Sequence, residues 1–330
     1  MKNLAQRCEW KLMLAVAAFL SLLSGATAAQ DVYPSRPIKL IAPIAAGGLT
    51  DTLARVLATK LGERLGQPVV VDNRAGGGGV IGITAAAKSP NDGYTLAIVY
   101  QGVASVNPVL IKDLPYDTLR DFVPIGLSGR FPLALVVNPK VPVKTVAEFV
   151  ALARSKPGML SYGSAGNATT SHLTTELFKR RAGIHVLHIP YRGEAPALND
   201  LMGGQVDVVF TSLTSVLPYL NSDRMRVLAV TTAERSKLAP NIPTVSESGL
   251  PGFQANGWYG LLAPAGTPKA IVDRLSNELV KVLNEPETRS RLQALGVDAF
   301  SASSDAMRKF VVEDMEKWRT VIGEAGIKAD

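Results

Sequence analysis

The chain has 330 residues, a formal net charge of +7 from 35 Lys and Arg against 28 Asp and Glu, three histidines and one cysteine. That length suits two lobes of ordinary domain size better than one small core. Its positive charge is spread out, the longest run being Lys179-Arg180-Arg181; this argues against nucleic-acid binding, which calls for a dense basic stripe interleaved with aromatics.

The first thirty residues read as an export signal. Lys2, Arg7 and Lys11 form a basic start, residues 12–23 are an unbroken apolar run, and Ser24-Gly25-Ala26-Thr27-Ala28-Ala29 offers cleavage after Ala28 or Ala29. The apolar run falls well short of the ~20 residues that cross a bilayer. A cleaved signal peptide over residues 1–29 and a periplasmic mature protein are therefore expected. Cys8 leaves with the signal, so the mature chain holds no thiol, disulfide or cysteine metal ligand. Loss of three cations and Glu9 leaves a charge of +5, a mild balance that attracts anionic solutes.

Strand-like and helix-like stretches then alternate, which predicts an α/β fold with mainly parallel sheets flanked by helices. Residues 38–44 read as a strand and 51–65 as a helix with Leu53, Leu57, Leu61 and Leu65 on one face. Strands follow at 68–71 and 95–100, a short helix at 82–88, and a strand at 131–138. A second series has a strand at 160–162, a helix at 173–181 ended by Gly183, a strand at 186–190, a helix at 195–202, and strands at 206–210 and 227–231. Residues 257–263 are strand-like, and a helix follows with Thr267 as N-cap, Pro268 in its first position and Ile271, Leu275, Leu279 and Leu283 inward. A last helix covers 304–325 with Phe310, Met315, Trp318 and Ile322 inward. If the strands near 131–138 and 256–263 both cross between lobes, residues 30–130 and 256–330 form lobe one and 131–255 lobe two. Two crossings make a hinge, with a cleft where the strand C-termini meet.

Two small-residue loops carry the functional expectation. Ala45-Ala46-Gly47-Gly48-Leu49-Thr50-Asp51 leads from the first strand into the first helix. Such a loop exposes backbone N–H groups and the positive end of the helix dipole, where an anion fits; a tight turn capped by Thr50 or Asp51 is the bland alternative. Ser164-Ala165-Gly166-Asn167-Ala168-Thr169-Thr170 repeats the design in the other half, with hydroxyls at Ser164, Thr169 and Thr170 and Asn167 suited to a left-handed backbone. One loop per lobe suggests opposed helix starts gripping a carboxylate. Tyr191 and Arg192, after a buried strand, are placed to line the same cleft. Asp207 either meets a ligand ammonium or caps a turn, and Asp51 poses the question of a negative charge beside an anion site.

Other chemistries fit less well. The glycines Gly77, Gly79 and Gly82 match a dinucleotide G-x-G-x-x-G in letter, but Asp72-Asn73-Arg74 separates them from the preceding strand, so no cofactor is expected. His185 and His188 alternate on a strand and do not chelate together; no metal is expected either. A hydrolase built on Ser164 and His172 is the catalytic alternative, although Gly163-Ser164-Ala165-Gly166 lacks the spacing of a nucleophile elbow. The leading expectation is a receptor with no catalytic residues.

At these positions the chain resembles the tripartite tricarboxylate transporter receptor (Bug receptor) family. The likeness rests on Gly47-Gly48-Leu49-Thr50-Asp51, Asp72-Asn73-Arg74, Asn91-Asp92-Gly93-Tyr94, Gly163-Ser164 through His172, His188-Ile189-Pro190-Tyr191-Arg192-Gly193, Gly203-Gly204-Gln205-Val206-Asp207 and Gly257-Trp258-Tyr259-Gly260. It implies a two-lobe, type II-like periplasmic-binding-protein-like fold joined by two crossover strands. It also implies a monomer that closes on a small carboxylate held partly by backbone N–H groups. Delivery to membrane permease subunits follows from the same likeness, a sensor kinase being the other docking partner. The chain departs from the family pattern at Ile44-Ala45-Ala46, where proline-rich sequence is common, and at Asn167, where glycine is frequent.

Overall fold

The computed structural model describes residues 33–191 and 193–328; the expected signal peptide and Arg192 lie outside the described residues. The chain divides after Ser35, and every element below belongs to the part from Arg36 on. In chain order these are β1 (Ile38–Ala42), α1 (Leu49–Leu65), β2 (Val69–Asn73), α2 (Val80–Ala87), β3 (Thr95–Tyr100), β4 (Phe122–Phe131), β5 (Leu133–Val137), α3 (Val146–Ser155) and β6 (Ser161–Ser164). There follow α4 (Thr170–Ala182), β7 (Leu187–Pro190), α5 (Glu194–Gly203), β8 (Val208–Ser212), β9 (Arg226–Val230), β10 (Gly257–Pro264), α6 (Lys269–Asn284), α7 (Pro286–Ala294) and α8 (Ser304–Ala325).

The strands make two five-stranded sheets, β2-β1-β3-β10-β4 and β7-β6-β8-β5-β9. β1, β2 and β3 pair in parallel, while β10 runs antiparallel between β3 and β4. The second sheet has the same plan, with β5 as its reversed strand between β8 and β9. Four of five strands thus run one way in each lobe. The sheet interiors are buried on both faces, as sheets covered by helices require. In β5, Leu133, Leu135 and Val137 join one core, and Ala134 and Val136 join the core on the opposite face.

The chain crosses from β4 in one sheet to β5 in the other through Pro132, and returns ahead of β10. The two crossings are tied together. Leu133 N–H donates to Thr231 Oγ1 (3.0 Å), the Ala255 amide donates to Thr231 O (3.2 Å), and Gly257 pairs across from Phe131. Gly257 has no alternative there, because a Cβ would lie 1.8 Å from the Phe131 ring.

Two readings of the sequence are corrected. The stretch expected as one strand at 131–138 is the end of β4 and the whole of β5, and the rest of β4, which holds Pro124, Gly126 and Gly129, escapes the alternation pattern. Those glycines let other chain segments approach: a Cβ on Gly126 would stand 2.6 Å from Ala302 O, and one on Gly129 2.5 Å from Val297. Helix α6 begins one residue late. Pro268 is its N-cap, and the buried Thr267 donates its hydroxyl to Pro264 O (2.7 Å). Helices α3 and α7 escape the periodicity argument.

Helix α8 serves both cores. Met307, Val311 and Met315 pack under the first sheet, whereas Trp318, Val321 and Ile322 belong to the core of the second. Between these groups the buried Asp314 accepts the Trp258 indole N–H (2.9 Å) and pairs with Lys317 (2.7 Å). Truncation would strand the Trp258 donor. Asp314→Ala is expected to cost about 1–3 kcal/mol, read as a lowered urea midpoint at pH 7.

Candidate ligand-binding cleft

The C-terminal ends of the parallel strands of both sheets lie at the crossing, since β4 ends at Phe131 and β5 starts at Leu133. Edges of this kind are where open α/β sheets bind ligands. At the end of β1, residues 45–48 are exposed and α1 starts at Leu49 with Gly48 as N-cap and no side-chain cap. Gly47 takes φ +93°, a conformation that favours glycine.

Asp51 turns inward and pins this loop. Its Oδ2 accepts the Gly47 amide (2.9 Å) and Arg55 Nε (3.1 Å), and its Oδ1 accepts Asn73 Nδ2 (2.9 Å). Those bonds, first of all that from Gly47, overcome burial and hold its carboxyl down at about 2. Asp51 is therefore charged but answered by Arg55. Ala45, Ala46, Gly47, Gly48 and Thr50 remain on the solvent side of this support.

The second loop is wired differently. Ser164, at the end of β6, is fully buried; its Oγ lies 2.7 Å from His188 Nε2 and accepts the Gly166 amide at 3.2 Å. The Ala165 amide donates to Ser171 Oγ (2.9 Å), and the Ala168 amide to His172 Nδ1 (3.0 Å). Thr169 donates its hydroxyl to Gly166 O (2.7 Å). The loop's own amides thus spend their bonds inside it. What points outward is the start of α4 at Thr170, whose N-cap Thr169 gives no side-chain cap. The left-handed residue is Ala168 at φ +57°, not Asn167, because the bond to His172 fixes the turn there.

The histidines missed as a unit now appear as one. His172 stacks on His188 with centroids 4.0 Å apart, and His188 stacks on Tyr162 at 4.6 Å. The register of β6 with β7, Tyr162↔His188 and Ser164↔Pro190, brings these rings together. Burial, more than any charge nearby, pushes His188 below its ordinary 6.5, with Glu176 opposing and Lys179 adding to the shift.

Tyr191 adjoins the second loop, its amide donating to Ser164 O (3.0 Å) and its hydroxyl to Asp200 (2.7 Å). Asp207 lies elsewhere. Its carboxylate accepts Ser161 N–H (2.8 Å) and Oγ (3.2 Å) at the start of β6, the end opposite Ser164. Among the described residues no group of three or more His, Cys, Asp or Glu is placed to hold a metal, and no helix is long and apolar enough to cross a membrane.

Sequence reasoning passed over Tyr259, Glu194, Thr211 and Ser212. Tyr259 sits opposite Tyr100 and stands 5.4 Å from the Phe131 ring. Burial pushes its phenol up to about 12; a hydrogen bond from Thr50 of lobe one works against the shift, and the charge of Glu194 from lobe two adds to it. One buried tyrosine thus senses both sides of the cleft.

The model of the tripartite tricarboxylate transporter family receptor matches residues 53–327. The chain belongs to this family. Among solved structures it resembles the R. palustris protein Rpa4515 with adipate, at 36% identity and TM-score 0.76, over 90% of this chain and 99% of that one. The periplasmic binding protein BugD is 34% identical with TM-score 0.73, over 90% and 100% of the two chains. MatC from Rhodopseudomonas palustris with bound malate is 31% identical with TM-score 0.72, over 88% and 100%.

Two outcomes test the wiring of the loops. Asp51→Asn removes a charged acceptor from the Gly47 amide and Arg55, and is expected to lower stability by about 1–3 kcal/mol in urea denaturation at pH 7. The depressed His188 contributes stability that is complete above pH 6.5 and is lost as pH falls through its folded value. Between pH 7 and pH 5 the urea midpoint of the wild type should drop more than that of His188→Gln. Parallel losses in the two proteins would show that His188 is not the cause.

Proposed function

We propose that this chain is an exported receptor that closes its two lobes on a small carboxylate and delivers it to membrane permease subunits. The observation that carries the reading is a pair of helix starts without side-chain caps, α1 at Leu49 and α4 at Thr170, one on each side of the crossing. Their first-turn amides and dipoles favour an anion. A ligand bridging both edges stabilises the closed form in proportion to its preference for that form. Lobe one takes residues 30–130 and 256–330 and lobe two 131–255, with the last turns of α8 packed into the core of lobe two. Ala45, Ala46, Gly47, Gly48 and Thr50 line one wall. Thr169, Thr170 and Tyr191 line the other, while Ser164 and Asp51 act as supports behind the surface; Asp207 stands at the opposite end of β6.

The adipate of Rpa4515 and the malate of MatC support a small carboxylate as ligand, and the periplasmic relative BugD, with the leader-like residues 1–29, supports export. The receptor works as a monomer without cofactor or catalysis. A hydrolase reading lacks support in its nucleophile: Ser164 is buried, His172 is occupied by Ala168, and among the described residues no carboxylate bonds the His188 ring.

Gly48→Glu tests this reading. The position has an ordinary φ of −83° and nothing within 4 Å of a Cβ, so the side chain fits and places a negative charge at the start of α1. At a hundred times its Kd, a carboxylate that binds from a panel of di- and tricarboxylates, amino acids and aromatic acids should stabilise the wild type by about 2.7 kcal/mol. The variant should keep its unliganded melting temperature and lose at least about tenfold in affinity. A wild type silent to di- and tricarboxylates, acidic amino acids and aromatic acids, and checked free of carried-over ligand, sinks the reading.

A further inference from the structure

Glu194 opens α5 directly after Gly193, whose amide donates to Ala165 O in the second loop (3.1 Å). Its Oε1 accepts two donors at the cleft end of β8, the Thr211 hydroxyl and the Ser212 amide, the latter at 2.5 Å. Oε2 takes no hydrogen bond among the described residues. The carboxylate therefore stands beside the second loop, on strand-end donors of the kind an anionic ligand group would use.

That placement bears on which carboxylates fit. A ligand with two negative ends needs two sets of donors, and here Glu194 already holds those at the end of β8. A second negative group arriving there meets a like charge. A cationic or amide end meets a free acceptor oxygen instead. We propose, resting on the carboxylate-receptor reading, that Glu194 is a specificity-determining residue: it fills the second anion position of the cleft and restricts the ligand to a molecule with one carboxylate and a hydrogen-bond-donating or cationic opposite end. The receptor excludes symmetrical diacids by a charge of its own.

The test is calorimetric titration of wild type, Glu194→Gln and Glu194→Ala with matched pairs of equal chain length. The pairs are succinate with 4-aminobutyrate, glutarate with 5-aminopentanoate, and adipate with 6-aminohexanoate. For at least one pair the wild type is expected to favour the amino acid by about tenfold or more, and both variants to erase or invert that preference. Glutamine keeps the shape and can still accept from Thr211 and Ser212, so its effect isolates the charge. A wild type that prefers the diacids overturns the inference, as does a preference ratio unchanged in both variants. An equal loss for both ligand series would mean that Glu194 only props the end of β8, and overturns it too. Silence of all six ligands in all three folded proteins overturns the inference, whereas the carboxylate reading itself falls only with silence to the broader acid panel.

Discussion

Thr231 is the point on which the geometry turns. Its hydroxyl accepts the Leu133 amide at 3.0 Å where the chain enters the second sheet, and its carbonyl accepts the Ala255 amide at 3.2 Å just before the chain leaves it. Two crossings held side by side leave the sheets one relative arrangement at their junction, with the strand ends of both turned to a common crevice. The glycine at 257 and the phenyl ring of Phe131 interlock at the same place. A third link, α8, runs from the core of the first sheet into that of the second. Closure of a two-lobe receptor therefore bends a short double strand while a helix spans both bodies.

The acids drawn out of water in this fold each come with their own donors. Buried Asp51 has Gly47, Asn73 and Arg55; buried Asp314 has Trp258 and Lys317; half-buried Asp207 has Ser161. Each is a local solution to the cost of removing a charge from water. Glu194 is the acid whose donors lie at the cleft itself, which is why it bears on selectivity rather than on folding alone. The two ligand loops also differ in kind. The first is held by ionic bonds to Asp51. The second is held through imidazoles, His172 and His188, stacked 4.0 Å apart. Burial of His188 opposes its protonation, so acid loosens the second loop before the first, whose Asp51 stays ionised down to about 2.

How far the sequence could be read depended on what each residue answers to. Leu53, Leu57, Leu61 and Leu65 of α1 repeat at helical spacing and are all buried, so periodicity found them. Strand β4 hid because its glycines serve distant neighbours, Ala302 and Val297, that no local pattern reveals. Helix α3 announced itself in a form left unread: Thr145 and Glu148 form a reciprocal cap, with Glu148 N–H on Thr145 Oγ1 and Lys144 N–H on Glu148. Asp207 and Ser164 are both polar residues at strand ends, yet one lies at the far end of its strand and the other faces the core. Strand polarity and side-chain direction separate them, and neither is a property of composition.

By itself the sequence determined the alternation of strands and helices, the two small-residue loops ahead of helices, and the family likeness that joins them. These are legible because a buried stripe, a helix start and a glycine turn each depend on residues close together in the chain. Only the tertiary structure decided that Asp51 turns in to Gly47, Asn73 and Arg55, that Ala168 and not Asn167 takes the left-handed turn, that His188 meets Ser164, and that Glu194 meets Thr211 and Ser212. Each of those depends on hydrogen bonds or charges between segments far apart in sequence. Such partners are chosen by packing, after the local elements have formed.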